Sequence, residues 1–151
     1  MDKLSSYLTF MLGKEKFAAN IAHVLHILGV PPITELPNSP DYIRGAINHR
    51  GRILTVLDPH SKFGIPKKEL TKNSCIVILE LENNSQKTEF GILVDMVDQV
   101  IEIKNEELLP APNLGATYKS DNIESIIKQN EEFILVINIQ KVFATESAEI
   151  N

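Results

Sequence analysis

The most informative part of the sequence for the fold is residues 46–57, which read AINHRGRILTVL. Apolar residues flank the tetrapeptide Asn48-His49-Arg50-Gly51, and asparagine and glycine tolerate the positive φ angles of a tight turn. The stretch therefore predicts a β-hairpin with residues 53–57 as its returning strand. A tight turn needs asparagine or glycine but not arginine. Arg50 is therefore either an ordinary surface cation or a residue that recognises a partner.

Short strands are predicted on both sides of this hairpin, with proline-rich connectors at residues 31–40 and 110–112 and a polar linker at residues 66–74. Where apolar residues recur at spacings of three and four, in residues 21–28 and 94–101, short helices are predicted instead. Single helical turns are expected at residues 58–63 and 139–143. The other predicted strands are residues 7–12, 17–20, 75–81, 88–93, 123–128 and 132–138.

The two halves of the chain follow the same plan. Apolar residues within 17–27 match those within 90–100 at a constant offset of 73, and residues 53–63 match residues 133–143 at an offset of 80. Such a duplication indicates two similar units of about five short strands, each too small to be stable alone, that bury a shared face. The predicted fold is all-β: two small five-stranded barrels packed together, with short helices. We expect one domain over residues 1–151, with approximate halves 7–65 and 74–143 and a frayed tail at residues 144–151.

Composition limits the classes of function. Hydrophobic residues make up 43% of the chain, which is enough to fill a core, and the net charge of −5 argues against a general nucleic-acid binder. One cysteine excludes an intramolecular disulfide. No apolar run approaches the roughly 18 residues that span a bilayer, and the first residues lack the pattern of a signal peptide. The expected location is cytoplasmic.

The sequence contains none of the patterns typical of an active site. There is no G-x-S-x-G elbow and no glycine-rich phosphate loop, and Cys75 lies in an apolar run where a thiol is unreactive. His23 and His26 have a workable ligand spacing on a helix, but no third ligand follows from the sequence, so packed or solvated histidines are favoured. We therefore expect no enzyme, no catalytic residue, no metal and no cofactor.

Two segments resemble the CheW-like domain of bacterial chemotaxis adaptors. The first is residues 43–53, IRGAINHRGRI, where Asn48, Arg50 and Gly51 match the Asn-x-Arg-Gly turn of that family, followed by an apolar strand, Asp58 and a short helix. The second is residues 90–97, FGILVDMV, which resembles the family's Val-Asp segment. The resemblance extends from about residue 7 to residue 143.

This resemblance implies two five-stranded SH3-like barrels and a non-enzymatic adaptor. Such an adaptor couples chemoreceptors to a histidine kinase of the CheA type, whose regulatory domain has the same fold, in signalling arrays. The implied partners are that regulatory domain and the cytoplasmic tips of chemoreceptors (methyl-accepting chemotaxis proteins). No nucleic acid is implied, and any association with the membrane is indirect, through the receptors.

The resemblance also implies a receptor groove between the barrels. Val24 and Ile27 would supply apolar contact to a receptor helix, and Arg50 would fix it by charge-assisted hydrogen bonds. The residues that match the receptor-binding region are Val24, His26, Ile27, Asn48, Arg50 and Gly51.

This chain departs from the family pattern around the candidate groove and turn: Leu28 stands where the family often has arginine, and Thr55 where proline is common. His26 stands where the family usually has a glutamate that can pair with the arginine matching Arg50, and Pro59-His60 stands where Leu-Arg is common. If His26 faces Arg50, its protonation adds a like charge. The alternatives are an adaptor of a twitching or gliding pathway, a decoy that binds a single partner, and a protein that binds a small ligand in a pocket between its barrels.

Overall fold

The computed structural model describes residues 4–111 and 122–143. Within these ranges the chain consists mainly of short strands, with 3-10 turns at Ile21–His23, Pro59–Phe63 and Asn105–Glu107 and a short helix at residues 139–143. The predicted frayed tail, residues 144–151, and the end of the second proline connector at Pro112 lie outside the described residues. The strands are β1 (Leu4–Leu12), β2 (Glu15–Asn20), β3 (Val24–Gly29), β4 (Ile43–His49), β5 (Arg52–Leu57), β6 (Cys75–Asn83), β7 (Gln86–Val94), β8 (Met96–Lys104), β9 (Leu108–Pro110), β10 (Ile123–Gln129) and β11 (Glu132–Ile137).

The strands form two curled sheets, which confirms the all-β prediction. The first sheet has the order β8-β1-β2-β11-β10-β9 and is called barrel 1 below. The second has the order β3-β6-β7-β5-β4 and is called barrel 2. Barrel 1 has one strand more than predicted because the three-residue strand β9 pairs with β10.

The interpretation that each half of the chain makes one barrel is wrong, because the halves exchange hairpins. The hairpin β1–β2 belongs with strands of the second half, and the hairpin β6–β7 belongs with β3, β4 and β5. A parallel contact completes each exchange: Ala18 pairs with Val136 in barrel 1, and Gly91 pairs with Val56 in barrel 2. Each hairpin is covered by strands of the other half, so neither half is a separate folding unit.

The predicted duplication is confirmed by the strand registers. The β4–β5 pair shifts register between Ile43 and Gly45, and the β10–β11 pair shifts between Ile123 and Ser125. These positions differ by the offset of 80 found in the sequence, so the two barrels repeat even their irregularities. A bulge retained in both repeats is a fixed feature of the fold.

The helices predicted around residues 21–28 and 94–101 are wrong: both segments are mainly strand, β3 and β8. A bulge explains the misleading spacing. The register of β3 shifts between Val24 and His26, so that Val24 lies opposite Leu79 and Ile27 opposite Val77. Residues three apart therefore share one face of the bulged strand, and this spacing imitates a helix.

The predicted shared face exists and forms the main core. It combines buried residues of both barrels, and aromatic rings join them. Phe17 of barrel 1 packs against Phe63, which follows β5 of barrel 2, with ring centroids 4.8 Å apart. Phe90 of barrel 2 packs against Phe143, which follows β11 of barrel 1, at 5.4 Å. The two contacts are repeats of each other and hold the barrels together through apolar burial.

Candidate functional site

The hairpin predicted from residues 46–57 is present as β4 and β5, and its tip carries three of the predicted site residues. Arg50 and Gly51 take φ angles of 55° and 80°, as in a type I′ turn, and the side chain of Asn48 accepts a hydrogen bond from the Gly51 N–H at 3.0 Å. Asparagine and glycine are the residues expected to adopt such positive φ angles. Arg50 adopts one nonetheless, and a left-handed conformation costs an ordinary residue about 1–2 kcal/mol.

The two arginines of this hairpin are in different environments. Arg52 is fixed, because its Nη1 lies 2.9 and 3.0 Å from the two carboxylate oxygens of Glu89 on β7. Arg50 is exposed, and its guanidinium has no ion-pair partner within residues 4–111 and 122–143. A free cation at a conformationally unfavourable position is available to a partner.

The predicted apolar contacts lie on β3. Because of the bulge, Val24 and Ile27 project from the same face of β3, opposite Leu79 and Val77 of β6. Val24 packs against the main core, whereas the side chain of Ile27 is 44% exposed. Val24 is thus half-buried, and Ile27 offers more exposed apolar surface to a partner.

His26 projects from the opposite face of β3 and meets the hairpin tip. Its ring lies 5.1 Å from that of His49, at an interplanar angle of 58°. His49 directly precedes Arg50, so the structure brings His26 to the turn through a histidine that the sequence analysis did not select. The His26 ring is therefore in contact with His49, the residue next to Arg50.

The structure gives no support to a metal site at His23 and His26. His23 lies in a 3-10 turn with its Nδ1 3.2 Å from the carbonyl oxygen of Glu80, and His26 lies in the following strand. In the part of the chain that the structure describes, no three histidine, cysteine or acidic side chains form a group that could hold a metal ion.

A buried polar network that the sequence analysis missed lies where the two barrels meet. Asp58 caps the 3-10 turn Pro59–Phe63, and its Oδ1 accepts from the backbone N–H of His60 at 2.9 Å and lies 2.6 Å from His60 Nδ1. The other ring nitrogen, Nε2, lies 3.0 Å from Oδ1 of Asp95. Arg44 approaches Oδ2 of Asp58 with its Nη1 at 3.6 Å. Asp58 and His60 are almost fully buried.

Burial and charge act in opposite directions on both titrating groups. Burial alone would raise the pKa of Asp58, but hydrogen bonds and charge from His60, together with Arg44, outweigh it and lower the pKa. Burial alone would lower the pKa of His60, but its hydrogen bonds to Asp58 and Asp95 outweigh it and raise the pKa. The network therefore favours the carboxylate form of Asp58 and the imidazolium form of His60.

The comparison of the two repeats shows a sequence difference at this network. Asp58 matches Asn138, which caps the helix at residues 139–143 by accepting from the Lys141 N–H at 3.1 Å. The same cap thus carries a charge in only one repeat.

The structure gives little support to the alternative that the protein binds a small ligand between its barrels. A cleft of about 900 Å³ is lined by the proline connector, the polar linker and the start of β4, with no residue from barrel 1. Charged and polar side chains, Glu35, Arg44 and Lys67 among them, line part of it. A small-molecule site is ordinarily a mostly apolar, enclosed pocket.

Comparisons with known proteins agree along almost the whole chain. The family model of the CheW-like domain matches residues 6–147. The chemotaxis protein CheW of Klebsiella aerogenes is 29% identical over 140 residues, which cover 93% of this chain and 82% of that protein. The chemotaxis protein CheW of Bacillus subtilis is 29% identical over 143 residues, covering 94% and 88%.

A solved structure shows the same architecture. The crystal structure of the scaffolding protein TtCheW from Thermoanaerobacter tengcongensis matches with a TM-score of 0.81 and 32% identity, covering 93% of this chain and 88% of that chain. The fold of CheW consists of two SH3-like barrels, so the prediction of two packed SH3-like barrels is confirmed. These similarities do not favour the alternative of a twitching or gliding adaptor or of a decoy. No helix among the described residues has the length and apolar character needed to cross a bilayer.

Proposed function

Because this chain belongs to the CheW-like domain family, whose members are non-catalytic adaptors and scaffolds of chemotaxis, we propose that it couples chemoreceptors to a histidine kinase of the CheA type. It would work in the cytoplasm, where the receptor tips and the kinase meet, and would be drawn to the membrane only through the receptors. It is an adaptor and not an enzyme. Its task is to hold two partners at once, which requires two separate surfaces.

The receptor surface is proposed at the β4–β5 tip and the adjoining part of β3. The observation that carries this assignment is the exposed guanidinium of Arg50, held in a left-handed turn without an ion-pair partner in the described part of the chain. The exposed Ile27 would contribute apolar contact to a receptor helix laid along the groove. His26 and His49 would support the tip, and Asn48 and Gly51 would shape the turn.

The kinase surface is proposed on the barrels themselves. The regulatory domain of the kinase would have the same two-barrel fold, so a barrel of one protein can pack on a barrel of the other. The internal repeat supports this arrangement, because each barrel of this chain presents a related surface. Ile53 and its counterpart Phe133 at the offset of 80 are both exposed, at 71% and 57%.

Replacing Arg50 with asparagine distinguishes a role of Arg50 in receptor binding from a role in folding. Asparagine tolerates the left-handed angle, so the Arg50→Asn variant should gain up to about 1 kcal/mol of stability. If Arg50 binds the receptor, the same variant should bind a receptor-tip fragment about tenfold more weakly or worse. Thermal denaturation and titration calorimetry measure the two effects on one protein sample.

The chain supplies matched controls for this experiment. Asn130, the counterpart of Arg50 at the offset of 80, already occupies a left-handed position, with φ of 50°, so asparagine is known to fit such a turn. Arg52→Asn removes the neighbouring arginine and should leave receptor affinity nearly unchanged, because Arg52 is engaged with Glu89. Unchanged affinity of Arg50→Asn would remove this residue from the receptor surface, and a loss of folding would make Arg50 structural.

A further inference from the structure

His60 joins elements that belong to different parts of the two-barrel structure. It lies in the Pro59–Phe63 turn after β5 of barrel 2 and is 2% exposed. Asp95, which its Nε2 contacts, is the single residue between β7 of barrel 2 and β8 of barrel 1. The chain passes from one barrel to the other at this residue.

Asp95 is held to barrel 1 by its other polar groups. Its Oδ2 accepts from the backbone N–H of Gly13, in the β1–β2 turn, at 2.6 Å. Its own backbone N–H donates to the carbonyl oxygen of Met11 at 3.0 Å. Asp95 thus connects the turn of barrel 1 to His60, and the hydrogen bond from His60 completes a link from one barrel to the other.

The geometry defines which protonation state makes this link. Ionised carboxylates only accept hydrogen bonds, and both ring nitrogens of His60 face such oxygens, of Asp58 at 2.6 Å and of Asp95 at 3.0 Å. A neutral imidazole has one N–H and can donate to one of them. The charged groups that face the His60–Asp58 pair from neighbouring elements are Asp95 and, from β4, Arg44. Only the imidazolium satisfies both carboxylates.

We propose that His60 is a pH-sensitive link between the two barrels: as an imidazolium it holds Asp95 to the Pro59–Phe63 turn, and on losing its proton it releases Asp95. Of the two contacts, the one to Asp95 is the one that breaks. The Asp58 carboxylate is fully buried and makes the shorter contact, whereas the side chain of Asp95 is 18% exposed and can exchange His60 for water. Release would loosen the junction at Gly13 and Asp95 while leaving each barrel folded.

The direction of the effect follows from the raised pKa of His60. A group whose pKa is higher in the folded than in the unfolded chain stabilises fully below its unfolded value, about 6.5 for histidine, and loses that contribution as pH rises through the folded value. The link is therefore closed below about pH 6.5 and opens as the pH rises through the raised pKa of His60.

The test is an NMR titration of the isotope-labelled full chain from about pH 6 to about pH 9, the range around and above the histidine pKa. The chemical shifts of the His60 ring nitrogens should be those of an imidazolium at the acid end of the titration. They should show the loss of one proton as the pH rises. Over the same range the hydrogen-exchange protection factor of the Gly13 amide should fall, by up to about tenfold for each unit by which the pKa is raised. Protection factors rather than raw rates are compared, because intrinsic exchange itself depends on pH.

Two variants and one control make the result decisive. His60→Gln cannot become charged, so its Gly13 amide should show a protection factor that no longer depends on pH. Asp95→Asn, whose amide can pair with a neutral ring, should also lose most of the dependence. His23→Gln changes a histidine outside the network and should behave like the unmodified chain. A neutral His60 at the acid end, or the same pH dependence in Asp95→Asn as in the unmodified chain, would overturn the proposal even if His60→Gln fails to fold.

Discussion

Replacing Gly45 with alanine is expected to lower the melting temperature by about 10 °C. Gly45 lies at the bulge of β4 with a φ of 147°, which L-residues rarely adopt, and a Cβ there would overlap the backbone carbonyl oxygen of Thr34 and lie 2.7 Å from Cγ2 of Ile33. Backbone strain and overpacking together cost about 3 kcal/mol or more. For a chain of this size each kcal/mol lowers the melting temperature by about 2–4 °C.

The backbone next to Gly45 cannot move aside without losing hydrogen bonds. Thr34 is bound to Ala46 by two backbone hydrogen bonds, of 2.9 and 2.8 Å, which attach the proline connector to β4. To make room for a methyl group, this bridge must break. Gly29→Ala is the matched control, because nothing lies within 4 Å of a Cβ at that position, and it should change stability by less than about 1 kcal/mol. Equal melting temperatures for the two variants in thermal denaturation would contradict the close approach of Thr34.

Replacing Asp58 with asparagine should destabilise the protein by about 3–5 kcal/mol at neutral pH, because it removes the buried carboxylate of an ion pair and leaves the buried His60 with Asp95 alone. Asp58 is 1% exposed, accepts from His60 and lies 3.6 Å from Arg44. Asparagine keeps the oxygen that caps the Pro59–Phe63 turn, as Asn138 does in the other repeat. The substitution therefore isolates the contribution of the charge.

The pH dependence of this loss provides the second half of the test. The pKa of Asp58 is lowered on folding, so its stabilisation is present above the unfolded value, about 3.9, and is lost as pH falls through the lower folded value. Chemical denaturation should show a large difference between the unmodified chain and Asp58→Asn at neutral pH. That difference should shrink as the solution becomes more acidic than the folded pKa. A difference that stays constant with pH would mean that shape, and not charge, makes Asp58 important.

The sequence predicts the parts of this structure that depend on local chemistry. The hairpin at residues 46–57 follows from Asn48 and Gly51, and the duplication follows from two constant offsets. The helix predicted around residues 21–28 is wrong because the bulge in β3 places Val24 and Ile27 on one face, at a spacing that also suits a helix. The offsets also cannot say which half covers which hairpin, since exchanged and unexchanged barrels have the same sequence pattern.

The candidate site likewise has one part that the local sequence predicts and another that depends on the tertiary structure. The turn residues Asn48, Arg50 and Gly51 come together because they are neighbours in the chain. The approach of His26 to His49 depends on how barrel 2 curls, which no local pattern encodes. The Asp58–His60–Asp95 network likewise depends on the exchange of hairpins between the barrels.

Titration calorimetry of the purified chain against the regulatory domain of a CheA-type kinase from the same organism would show whether this chain is an adaptor for such a kinase. We expect one-to-one binding with micromolar or tighter affinity, and we expect Arg50→Asn to leave it unchanged because that residue is assigned to the receptor surface. Absence of binding between two folded proteins would contradict the adaptor function while leaving the fold intact.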